Sequence, residues 1–217
     1  MMTLADLEQG SDEWLRARLG RVTASRVCDV IAKTKSGWGA SRANYAAQLI
    51  AERLTGEPLP SFTNAAMQHG TATEPEARQA YSFRQDVDVA QVGFVEHPTI
   101  PMSGCSPDGL IGSEGLVEIK CPSSATHIDT LLRQKVPEKY LVQIAWQLAC
   151  YPERRWADYA SYDPRLPESM RLFVKRVDRD DELIAQLEKD VSEFLNEVAS
   201  TVASLRHLYE PQMEIAA

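Results

Sequence analysis

The run from Ser106 to Pro122, S-P-D-G-L-I-G-S-E-G-L-V-E-I-K-C-P, constrains this chain more than any other stretch. Gly104 to Leu110 reads as a strand ending in a turn, Gly112 and Gly115 break the chain again, and Leu116 to Lys120 reads as a short β-strand. Alternate side chains of a strand share a face, so Glu118 and Lys120 point one way and Val117 and Ile119 the other. A hairpin joining the two strands brings Asp108 close to Glu118. Two converging carboxylates repel unless a cation lies between them. Oxygen ligands from carboxylates, a backbone carbonyl and water suit Mg2+ or Mn2+. Lys120 alongside would position or deprotonate a water, or stabilise charge developing on a phosphate. Plainer readings stand beside this one. Pro-Asp-Gly is ordinary turn chemistry, and Glu118 and Lys120 also suit the solvated face of an amphipathic strand. Against them, the D-G-L and E-I-K-C-P pieces are apolar apart from these charges.

The 217 residues, 44% of them hydrophobic, suffice for one substantial core and predict a single domain over residues 1–217. No apolar run is long enough to span a membrane. The N-terminus carries an acid and lacks the basic region of a signal peptide. Cys28, Cys105, Cys121 and Cys150 form no C-x-x-C pair and fit reduced thiols, hence a cytoplasmic protein. The histidines show no zinc spacing. The net charge of −8 and pI near 5.1 count against a general DNA-coating protein. They leave room for a nucleic-acid site whose basic path is local.

Gly10 to Leu19 predicts a helix capped by Ser11 or Asp12, with Arg16 and Arg18 near its end. Ser25 is a candidate N-cap for a second helix, whose free N–H groups, with Arg18 nearby, would suit a phosphate. Plain capping beside a surface arginine is the alternative. Lys33 to Gly39 reads as a basic loop in which Lys35 could contact a phosphate and Trp38 a base, or as a merely solvated loop. Asn44 to Leu54 predicts an amphipathic helix with Tyr45, Leu49 and Leu54 as its stripe and Gly56 as its stop. Leu59 to Thr63 reads as loop. Asn64 to Tyr81 reads as helical, with Pro75 marking the first turn of a new helix and Glu74 at its start; a glutamate there is ordinarily a cap. Val87 to Glu96 alternates as one strand, and Met102 to Leu110 with Leu116 to Cys121 forms the hairpin. Pro137 to Cys150 predicts a helix that carries Gln143 and Gln147 on one face, where amides could hold a water or phosphate oxygen, or form an exposed ladder. Trp156 to Tyr162 and Met170 to Val177 read as strands. Asp180 to about Leu208 reads as one long packing helix, and Pro211 to Ala217 as a tail.

Several motifs in this order resemble the lambda exonuclease, or YqaJ-like viral recombinase, family with its PD-(D/E)xK nuclease core. They are R-L-G-R-V-T-A-S (Arg18 to Ser25), H-G-T-A-T-E-P-E-A-R (His69 to Arg78), S-P-D-G-L, E-I-K-C-P, Y-L-V-Q-I (Tyr140 to Ile144) and S-Y-D-P-R (Ser161 to Arg165). The resemblance implies an α/β fold, a central, mixed, twisted sheet with helices on both sides, its core over about residues 9–178. It implies a Mg2+-dependent exonuclease that degrades one strand of duplex DNA from a phosphorylated 5′ end, releases mononucleotides and leaves a 3′ single-stranded tail. Asp108, Glu118 and the Ile119 carbonyl would hold one or two Mg2+ (or Mn2+) per subunit, with Glu74 a further member of the metal site. Lys120 would act on the attacking water and Gln143 beside it. Arg18, Ser25, Lys35 and Ser106 would catch the 5′-phosphate, and Tyr140 matches a family tyrosine near the site. The local Q-V-Q-like pattern of the family departs here at Ala145, which leaves Gln147 without an assigned role. The resemblance further implies a ring-shaped homotrimer, a single-strand annealing protein as partner, and a phage or prophage origin in a bacterial host. An endonuclease sharing the core, or a non-catalytic DNA-end binding module, is the rival reading.

Overall fold

The structure, a computed structural model, describes residues 3–35, 37–59 and 65–210, without the side chains of 65–67. A 3-10 turn (Leu4–Asp6) is followed by α1 (Asp12–Ala17), where the Ser11 hydroxyl accepts from the Trp14 N–H at 3.2 Å. Then come β1 (Val22–Thr23), a 3-10 turn (Ala24–Arg26), the one-turn α2 (Val27–Val30), and a hairpin of β2 (Lys33–Thr34) and β3 (Gly37–Trp38). α3 (Ala40–Thr55) stops at Gly56, whose φ of 71° suits glycine. α4 (Ala65–Gln85), β4 (Val89–Ala90), β5 (Val95–Glu96), β6 (Ser103–Cys105), β7 (Gly109–Ile111) and β8 (Gly115–Lys120) follow. The chain continues with α5 (Ser124–Arg133), α6 (Glu138–Cys150), β9 (Trp156–Tyr162), β10 (Leu172–Asp178) and α7 (Asp181–Tyr209). Among the described residues no helix is long and apolar enough to cross a membrane.

The main sheet has the order β10-β9-β8-β7-β4. β8 and β9 run parallel, joined through α5 and α6, while the other neighbours are antiparallel, so the sheet is mixed. A second sheet has the order β1-β6-β5. β8 is buried on both faces, as a central strand between helical layers must be. Val117 and Ile119 pack with Ala77 and Tyr81 of α4 and with Ala160 and Tyr162 of β9. Leu116 faces the other way, into a core built with Trp146 and Leu148 of α6 and Leu187, Val191 and Phe194 of α7. Burying each such large apolar side chain contributes about 1.5–3 kcal/mol. The two cores sandwich the sheet, the expected α/β architecture.

Five local expectations change. α4 runs unbroken through Pro75, because its Ala77 and Tyr81 are held against β8 and tertiary packing outweighs the proline penalty. The strand expected over Val87 to Glu96 splits into β4 and β5, which lie in different sheets. Between them Gly93 N–H donates to the Ala5 carbonyl and Phe94 N–H to the Leu4 carbonyl, at 2.7 and 2.9 Å. A side chain at Gly93 would collide with the Leu7 carbonyl. The strand Met102 to Leu110 also splits, with β6 in the smaller sheet and Asp108 in the connection to β7. The basic Lys33 to Gly39 stretch is the β2–β3 hairpin, not an irregular loop. Leu54 is 37% exposed and drops out of the α3 stripe, whereas Tyr45 and Leu49 are buried. The stretch Pro60 to Asn64 and the tail from Pro211 lie outside the described residues.

Candidate active site

Asp108 stands at the entrance to β7, with Oδ2 accepting a hydrogen bond from the Ile119 N–H at 2.6 Å. Beyond the Gly109–Val117 pair β7 offers no further rung, so this side chain takes the place of one. Backbone N–H and C=O of one strand residue point to the same side. The Ile119 carbonyl therefore lies on the edge that Asp108 occupies. Glu118, one residue earlier, points from β8 towards α6 and is fully buried. Gln143 Nε2 donates to its Oε1 at 2.6 Å and Gln147 Nε2 to its Oε2 at 2.5 Å. Lys120, on the same face of the strand, forms an ion pair with Oε1.

Burial, then the Glu118 charge, pushes the Asp108 carboxyl well above the carboxylate range. Lys120 and the Ile119 N–H pull it down without prevailing. Burial lowers the Lys120 pKa, but Glu118 and Asp108 outweigh it and hold the amine above its ordinary value. Lys120 is thus an ammonium at neutral pH. Ionising both buried acids beside one ammonium would leave an excess of negative charge, which is what raises Asp108 and what a divalent cation would relieve.

A cleft of about 150 Å3 opens over these groups. Arg18, Ser25, Ser106, Asp108, Glu118, Lys120 and Gln143 all line it. Gln9, Trp14, Thr23 and Ala24, which sequence reasoning does not single out, line it as well. Trp14 stands one helical turn before Arg18, a spacing that sets the two side chains on one face, but nothing local ties it to Ser106. The Arg18 guanidinium stacks on the Trp14 ring at 3.8 Å, and Trp14 Nε1 donates to Ser106 Oγ at 3.0 Å. Burial lowers the Arg18 pKa to about 10, which leaves it protonated at neutral pH. Among the described residues it forms no ion pair with a carboxylate. Gln9 Nε2 donates to the Pro107 carbonyl at 3.0 Å and steadies the turn that carries Asp108.

Ser25 lies inside a 3-10 turn whose N-cap is Thr23, and the helix after it has only four residues. It is therefore not a helix N-cap, and its hydroxyl rather than a helix terminus faces the cleft. Lys35 is exposed at the β2–β3 turn and does not line the cleft. Glu74 does not line it either. It pairs with Arg78, whose Nε donates to the Asp108 carbonyl at 3.3 Å. Its charge nonetheless acts on Asp108. Tyr140 stands behind Lys120, its ring centroid 5.4 Å from Nζ, and stacks on Tyr159. Gln147 sits one turn deeper in α6 than Gln143 and is fully buried.

Among the described residues no group of three or more His, Cys, Asp or Glu side chains is placed to hold a metal by itself. Asp108 and Glu118 supply two hard oxygen donors, which fits a divalent ion completed by carbonyl and water.

The YqaJ-like viral recombinase domain matches the chain over residues 13–159. LHK-Exo, an alkaline exonuclease from Laribacter hongkongensis, is 48% identical, with 91% of this chain and 97% of that one covered. The TM-score is 0.86 for its complex with dAMP and 0.85 for a second crystal structure. A phage-related exonuclease from Haemophilus somnus shares the fold at 14% identity, with 85% and 96% covered and a TM-score of 0.70. Uncharacterized protein R354 of Acanthamoeba polyphaga mimivirus is 26% identical over 158 residues, 67% of this chain and 27% of that protein. The chain thus spans about a quarter of the length of this curated relative. With a family match across 13–159, and the mixed sheet and flanking helices of the PD-(D/E)xK exonucleases, the chain belongs to the YqaJ-like viral recombinase family.

Proposed function

We propose that this protein is a Mg2+-dependent exonuclease that degrades one strand of linear duplex DNA from the 5′ end, releases mononucleotides and leaves a 3′ single-stranded tail. One observation carries the reading: a single cleft is lined by Arg18, which has no carboxylate partner among the described residues, and by Ser25 and Ser106 beside Asp108, Glu118 and Lys120. A guanidinium free of carboxylates, with two hydroxyls, suits a terminal phosphate. Two acids and an ammonium alongside suit hydrolysis of a phosphodiester. The 48% identity to an alkaline exonuclease crystallised with dAMP supports a mononucleotide product.

In this reading Asp108, Glu118 and the Ile119 carbonyl hold the ion. When bound, Mg2+ supplies activation of water and neutralisation of charge on the leaving oxygen. Lys120 donates a hydrogen bond that orients the attacking water and stabilises charge on the phosphate oxygens. Gln143 keeps Glu118 in place and borders the substrate. Arg18 fixes direction by holding the end phosphate. Tyr140 supports Lys120, Glu74 adds negative charge near Asp108, and Lys35 contacts DNA away from the cleft. The protein works as a ring-shaped homotrimer alongside a single-strand annealing protein in phage-type recombination, a role that fits a viral recombinase family.

The test is a covalently closed duplex circle beside the same DNA linearised. Degradation of the linear form alone is expected. Cutting of the circle supports an endonuclease instead, and inertness towards both supports a binding module.

A further inference from the structure

Gln147 is fully buried and does not line the cleft, yet its Nε2 holds Glu118 Oε2 at 2.5 Å. Its own Oε1 has no hydrogen-bond partner among the described residues. Buried amides normally satisfy both ends, and an orphaned buried acceptor costs about 1–3 kcal/mol. Turning the amide over would aim an oxygen at the carboxylate with no donor between them. Charge therefore fixes the N–H end on Glu118, and the arrangement is kept at the expense of the oxygen.

The consequence lies in how Glu118 is presented. Lys120 and Gln143, which both line the cleft, act on Oε1. Gln147 draws Oε2 away into the α6 layer. Glu118 thus keeps Oε1 among the cleft-lining groups, where an ion would share it with Lys120 and Gln143, and Oε2 behind them. Asp108, with Oδ2 held by the Ile119 N–H, likewise has one oxygen to offer. Ca2+ takes six to eight oxygens and often both of a carboxylate, whereas Mg2+ takes six in a tight octahedron and keeps several waters.

We infer that Gln147 is a positioning residue that makes Glu118 a one-oxygen ligand and so sets the preference of the cleft for Mg2+ over Ca2+. This rests on the metal reading proposed above. Simple packing of Gln147 would instead affect stability and leave ion preference alone.

Isothermal titration calorimetry of the full chain, without DNA, measures the Kd for Mg2+ and for Ca2+ in wild type and in Gln147→Met. Methionine keeps the length and loses the donor. The ratio of the Ca2+ to the Mg2+ Kd is expected to fall about tenfold, the scale on which partners of metal ligands act. Gln147→Asn, too short to reach Oε2, is expected to do the same and serves if Gln147→Met does not fold. A ratio within twofold of wild type in a folded variant overturns the inference and leaves the metal reading standing. Wild type that binds neither ion overturns both.

Discussion

Asp108 and Ile119, eleven residues apart, are joined by a 2.6 Å hydrogen bond from the backbone N–H to Oδ2. The bond fastens the turn before β7 to the end of β8, where pairing with β7 has stopped while pairing with β9 continues. It also confines a carboxylate beside the buried Glu118, which burial and like charge both oppose. An acid with a raised folded-state pKa costs stability as pH rises above its unfolded value, in full above the folded one. The cost is relieved when Asp108 is neutral or when a cation joins the pair.

Asp108→Asn should therefore abolish cleavage and yet raise the melting temperature of the metal-free protein. The amide oxygen can still accept from Ile119, while repulsion with Glu118 is removed. A gain of about 1 kcal/mol corresponds to about 2–4 °C in a chain of this size. Calorimetry without divalent ions reads it, and a lowered melting temperature would count against the electrostatic account of the pair.

Lys120→Ala should lower the rate of phosphodiester hydrolysis by about 10²–10⁴, the contribution of a positioned proton-handling or hydrogen-bonding group. DNA affinity should hold within a few-fold, because the ammonium is engaged by Glu118 rather than free. Single-turnover cleavage and a binding titration separate the two effects. Turnover within a few-fold of wild type would remove Lys120 from the chemistry.

Arg18→Ala should erase the preference for 5′-phosphorylated over 5′-hydroxyl ends. A hydrogen bond to a charged group contributes about 1.5–3 kcal/mol, or about 10- to 150-fold in relative rate. Competition between the two end types measures it directly. An unchanged preference would place the end phosphate elsewhere.

Acid should loosen the turn after β9. Burial raises the Asp163 pKa, but hydrogen bonds from Arg165 and Ser124 outweigh it and bring the carboxyl from 3.8 to about 2. A depressed carboxyl contributes stability that is full above the unfolded value and is lost as pH falls through the folded one. The Asp163–Arg165 contribution should thus persist above about pH 4 and vanish towards pH 2. Comparing wild type with Asp163→Asn in denaturant titrations across that window tests this. Equal pH dependence of the two proteins would contradict it.

How much of this was legible in the sequence follows from how local each signal is. The alternation of Glu118 and Lys120 needs only β8 itself, and the long packing helix from Asp180 needs only the helical spacing that buries Leu187, Val191, Phe194 and Val198; both are as expected. The β4–β5 break was hidden because its cause is the Leu4–Leu7 backbone, some 90 positions upstream of Gly93. Pro75 misleads because its helix is stabilised by contacts with β8, not by its own sequence. Gln147 carried the right signal, a spacing of four from Gln143, but only the burial of Glu118 gives that spacing a purpose. Trp14 needed the fold, since its link to Ser106 spans 92 positions.

The central claim is that Asp108, Glu118 and Lys120 form a metal-dependent nuclease whose direction is set by Arg18. It is tested most directly on linear duplex DNA labelled separately at the 5′ and 3′ ends, with Mg2+ or with chelator. The account predicts immediate release of the 5′ label as mononucleotide, delayed release of the 3′ label, and no release in chelator. Release of the 3′ label first, or equal release with the divalent ion removed, would contradict it.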